Sequence, residues 1–227
     1  MPAGSGHGFV QLVSCGLRAA LFYSPKKHYF CRKITRTMEN TEYFDQFEAR
    51  LLEELLRLCT SHKMLDGTLL ASEDIDGCWK EFAPHYMADA VSQINSYPAA
   101  AIAWAGYVGM AVAHHWDTDW ETFRTSAYTD LHGPQGFDDM DENILLHHLG
   151  LGLQSEPATR IEDMLRRCAH TAMTLIRRED TEAQSTKAFY IFARTARALF
   201  KIGAALELKR LGYKFEKMNL GENPLFS

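Results

Sequence analysis

The sequence predicts an all-α protein: a single globular, bundle-like domain of about seven to eight helices around a small-residue central helix. Three observations carry this. Apolar residues recur at steps of three and four through most of residues 38–212, strand-like alternation is nearly absent, and the stretch PAAAIAWAGYVGMAVA at 98–113 is uncharged all round. With 227 residues, 46% of them hydrophobic, the chain is long enough to bury a core of its own.

The first helix is expected from near Thr41 to Ser61, where Phe44, Phe47, Leu51, Leu55 and Leu58 form an apolar stripe. Glu48, Arg50, Glu53, Glu54 and Arg57 decorate its other sides. Asp66-Gly67 reads as a turn, and Ser72 before Glu73 and Asp74 reads as a cap with acids in the first turn. Pro84 is expected to break or restart the helix that follows, and Pro98 to open the central one. Capping-box patterns occur at Thr118-x-x-Glu121, Thr159-x-x-Glu162 and Thr181-x-x-Gln184. A sixth helix is expected over Met140–Leu149 and a seventh through Ile161, Met164, Leu165, Cys168, Ala172 and Leu175. The last runs from about Ala183 to Leu211, with Gly212 as its stop. Residues 213–227 read as an extended tail.

Alanines, with Gly106 and Gly109, let neighbouring backbones come close to the central helix, either inside the core or as a tight homodimer seam. Sixteen such residues fall short of a membrane span.

Residues 1–37 form a basic leader of six cations (Arg18, Lys26, Lys27, Arg32, Lys33, Arg36) without one Asp or Glu. The leader carries +6 and the rest −11, so the overall −5 averages two unlike parts. The favoured reading places the leader upstream of a true start at Met38, or disordered. A transit peptide fits the acid-free composition, whereas an export signal ending at Leu12-Val13-Ser14-Cys15 lacks a preceding cation and a long enough apolar run. The body's acidity argues against nucleic acid as a partner. Five widely spaced cysteines without C-x-x-C indicate a reducing compartment, with Cys59 and Cys168 as small buried thiols.

Two clusters invite chemistry. His114, His115, Asp117 and Asp119, with His147 and His148, place imidazole and carboxylate where a divalent metal could sit between helices, with His170 as a further ligand. Such a site would activate water for hydrolysis. The competing reading makes His114 and His115 helix-end residues and Asp119 a first-turn acid. The second cluster is Lys187, Tyr190, Arg194, Arg197 and Lys201, five residues on one face of the last helix. Arg194 and Arg197 could hold a small anion; the alternative is a solvated face paired with Asp138, Asp139, Asp141 and Glu142. Nucleophile-elbow, phosphate-loop and dinucleotide motifs are all missing. The favoured expectation is a soluble binding or self-association module, cofactor-free and cytoplasmic, or organellar if the leader is a transit peptide. Its partner would be itself or another protein. The alternatives are the metal-assisted hydrolase and the small-anion binder.

Overall fold

The apolar periodicity becomes seven α-helices and no strand among the described residues. The computed structural model describes residues 26–69, 72–94, 96–182 and 184–214, with side chains from Thr41 onward. Most of the basic leader and the tail beyond Lys214 lie outside them. The chain divides into two units, Met1–Glu39 and Asn40–Ser227. Of the first, residues 26–39 are helical backbone; the second holds the fold.

Helix α1 spans Lys26–Ser61, starting well before the expected Thr41. Pro25 is the last helix breaker, and neither Gly nor Pro follows until Gly67, so nothing in the sequence stops helix propagation between them. Gly67 (φ +86°) makes the expected turn. Ser72 caps α2 (Glu73–Gln93), its side chain accepting from the Ile75 amide. The expected break at Pro84 does not occur. Pro84 and Lys80 are both exposed, so the Lys80 carbonyl that loses its amide donor faces water, while Phe82 and Tyr86 anchor the helix in the core.

Helix α3 (Pro98–Thr118) begins with Pro98 in its first turn and is buried on every side from Trp104 to Ala113. Short α4 (Trp120–Phe123) follows. Thr118 does not cap it: the Thr118 hydroxyl donates back to the His114 carbonyl, closing α3 instead. Two 3₁₀ turns, Tyr128–Leu131 and Phe137–Asp139, lead to α5 (Met140–Asn143). The expected sixth helix is thus one α turn, continued as a π turn over Ile144–His148. Helices α6 (Glu156–Ile176) and α7 (Thr186–Arg210) complete the chain. Their caps are Ser155 and Ser185, each serine oxygen taking the amide three residues on, rather than Thr159 and Thr181. The expected start at Ala183 lies outside the described residues. Gly212 (φ +96°) ends α7 as anticipated.

Helix α3 is central, packed most extensively on α7 and also on α2 and α6. Its small residues serve that contact. A β-carbon on Gly109 would stand 2.0 Å from the Phe200 carbonyl oxygen, so the two backbones touch. Trp79 and Trp104 are buried in the core, and Trp116 and Trp120 pack at its edge. Among the described residues no helix is long and apolar enough to cross a membrane.

Candidate functional site

The end of α3 brings two of the predicted histidines together, His115 and His148. His115 Nε2 lies 2.9 Å from His148 Nδ1. One of these two nitrogens carries the shared proton and the other accepts it. The His115 ring stacks on Phe123 with centroids 4.4 Å apart. Burial, then the neighbouring His148 and His114 rings, push the His115 pKa down to about 4 against an opposing pull from Asp119. Burial also lowers His148. Both rings are therefore neutral at pH 7.

His114 turns the other way. Its Nδ1 is 2.8 Å from Oε1 of Glu207, a carboxylate with no exposed surface. Arg210 grips the same carboxylate with two bonds, 2.7 Å from Nε and 2.6 Å from Nη2. Asp117 accepts from the Tyr213 hydroxyl at 2.5 Å, and His147 is exposed. Among the described residues, no three His, Cys, Asp or Glu side chains are grouped to hold a metal ion. One nitrogen of His115 and one of His148 are spent on each other.

The α7 stripe faces α1. Arg194 reaches Asp45 at 2.7 Å and Glu48 at 2.9 Å, while Arg197 and Lys201 approach Glu48 at 3.5 and 3.8 Å. The acids that neutralise it are therefore Glu48 and Asp45, not the cluster around Asp138 to Glu142. Lys187 lies over the Tyr43 ring and donates to the Asp180 carbonyl; Tyr190 packs on Phe44 and is half exposed.

Glu48 and Glu207 are buried ion-pair partners that sequence reasoning missed. The signal was present: Glu48 sits four residues after Phe44 and three before Leu51, on the apolar stripe itself. Glu207 likewise follows Gly203 by one helical step.

One concavity was not foreseen. A cavity of about 480 Å³ opens between the end of α2 (Val91, Ile94), the start of α3 (Pro98, Ile102), the end of α6 (Met173, Ile176, Arg177) and the start of α7 (Ala188, Phe189, Phe192). Thr181, Gln184 and Ser185 form its polar edge. Val91 and Phe189 keep nearly half their surface in solvent. Arg177 is exposed, with no ion pair among the described residues. Residues from four separate helices build this groove, which no local spacing encodes.

The arrangement can enclose a small apolar body beside one exposed cation. No protein-family model matches the chain, and neither a curated protein nor a solved structure matches it significantly.

Proposed function

We propose that the chain is a binding module whose groove between α2, α3, α6 and α7 takes a small amphipathic molecule, its apolar body in the groove and a single anionic end at Arg177. The observation that carries this is the groove itself. Its volume, about 480 Å³, lies in the range of small-molecule sites, and its walls are aliphatic and aromatic with one uncommitted guanidinium at the edge. Desolvating such walls drives binding, and the guanidinium selects a carboxylate or sulfonate over a neutral head.

The test is titration of the full chain with the anionic dye 8-anilinonaphthalene-1-sulfonate, followed by displacement with decanoic acid and with decanol. Saturable binding, displaced better by the acid, is the expected result. Ala188→Phe fills the groove and should abolish dye binding without lowering the melting temperature. Arg177→Gln should erase the preference for acid over alcohol. Dye binding unchanged in Ala188→Phe overturns the proposal. Molar mass at micromolar concentration tests self-association as the competing occupant: a dimer that hides Phe189 from the dye replaces the small-molecule reading.

A further inference from the structure

At the opposite end of α6 and α7 a second concavity has a different character. It measures about 370 Å³ and carries four cations, Lys63, Arg160, Lys209 and Arg210, around a floor that includes Met64 and Ile161. We propose that it binds a phosphomonoester on an apolar or aromatic body, of about nucleoside monophosphate size.

The cations fall into two kinds. Lys209 is paired with Asp66, and Arg210 with Glu207, so both are held in place before any ligand arrives. Lys63 and Arg160 have no ion pair among the described residues. Those two supply the uncompensated charge, suited to the two negative charges of a phosphomonoester.

Lys63 has a further property. It stands just past the end of α1 with φ +59°, its amide bonded to the Thr60 carbonyl. This is the left-handed position that ends helices and that glycine fills without strain. A lysine there is strained relative to glycine, and its side chain lines the pocket. The pocket also includes Glu156 and Pro157 of the first turn of α6, where the helix dipole favours an anion. Glu156 is the one acid among the lining residues and opposes the ligand. Met64, Ile161 and Leu206 give the organic body an apolar surface.

This site is independent of the amphipathic-ligand groove. On α6 their nearest lining residues, Ile161 and Met173, are twelve positions and so about 18 Å apart, so each proposal stands or falls alone.

The experiment is calorimetric titration of the full chain at low salt with adenosine 5′-monophosphate, adenosine, glucose 6-phosphate and inorganic phosphate. Adenosine 5′-monophosphate is expected to bind saturably, adenosine not at all, and inorganic phosphate more weakly. Glucose 6-phosphate, whose body is polar, is expected to bind more weakly than the nucleotide; equal affinity overturns the apolar or aromatic body. Lys63→Gly should weaken the nucleotide about tenfold while keeping or raising the melting temperature, which separates lost binding from lost folding. Arg160→Gln should weaken it comparably, and Glu156→Gln should tighten it. Absence of saturable phosphomonoester binding at millimolar concentration overturns the proposal, as does affinity unchanged in both Lys63→Gly and Arg160→Gln.

Discussion

Gly203 of α7 meets Gly106 of α3 so closely that a β-carbon on Gly203 would lie 1.8 Å from the Gly106 carbonyl oxygen. The obstacle is main chain, which cannot step aside as a side chain can. Gly203→Ala is therefore expected to cost about 2–3 kcal/mol and to lower the melting temperature by several degrees. Gly106→Ala should cost less, because its β-carbon meets only the flexible end of Leu165. Urea titrations of the two variants check the order; a Gly203→Ala protein as stable as the parent would refute the backbone contact.

Glu48 is a carboxylate only 7% exposed facing Arg194, Arg197 and Lys201. Removing it strands partly buried cations, so Glu48→Ala should lose about 2–4 kcal/mol. The same variant should gain an anion response: sulfate raises its melting temperature more than that of the parent, in which Glu48 occupies the stripe. Equal sulfate shifts in both proteins would show that the stripe takes anions with Glu48 in place.

The hydrogen-bonded imidazoles make stability depend on pH. His115 falls from an ordinary 6.5 to about 4, and His148 is also lowered. Below pH 6.5 the unfolded chain takes up protons that the folded chain refuses, which favours unfolding. The contribution is complete above about pH 6.5 and is lost as pH falls toward 4. After solvent screening it amounts to roughly 1–2 kcal/mol for His115. Urea midpoints at pH 4.5, 5.5 and 7 should rise in that order, and His115→Phe should flatten the rise. An unchanged pH slope in His115→Phe would remove His115 as its source.

Cys59 and Cys168 lie 3.6 Å apart, sulfur to sulfur, each wholly buried. The Cys59 hydrogen bond and then burial raise the Cys168 thiol well above its ordinary value, and burial, aided by the Glu81 charge, pushes Cys78 up to about 12. Cys168 and Cys78 are poor nucleophiles in the folded chain, and Cys59 is buried out of reach of reagents. Iodoacetamide should label them only after guanidinium is added, as mapped by mass spectrometry. Rapid labelling of Cys168 in the native protein would contradict the buried pair.

The sequence revealed what a helix can encode locally. The uncharged run at 98–113 announced a helix without a solvent face, Ser72 and Gly212 marked ends, and Ile161 to Leu175 marked one face of α6. It misled where the decisive partner is distant. Pro84 looks like a break until its solvent position is known, and the caps at Thr159 and Thr181 lost to serines a few residues away. The histidine pairs were visible, but which rings meet depends on how the segment after α5 winds, and the two concavities depend on helices far apart in the chain.

That winding has its own consequence. The Leu149 amide bonds the Ile144 carbonyl, five residues back, so the turn holds more chain than an α turn. His147 and His148 are chemically identical neighbours, and backbone geometry alone decides which of them faces α3. The loosened turn acts as a selector between adjacent letters of the sequence. Leu146, 43% exposed, sits within it. A single-residue deletion there would move the choice of imidazole by one place while leaving the composition of both histidine pairs intact.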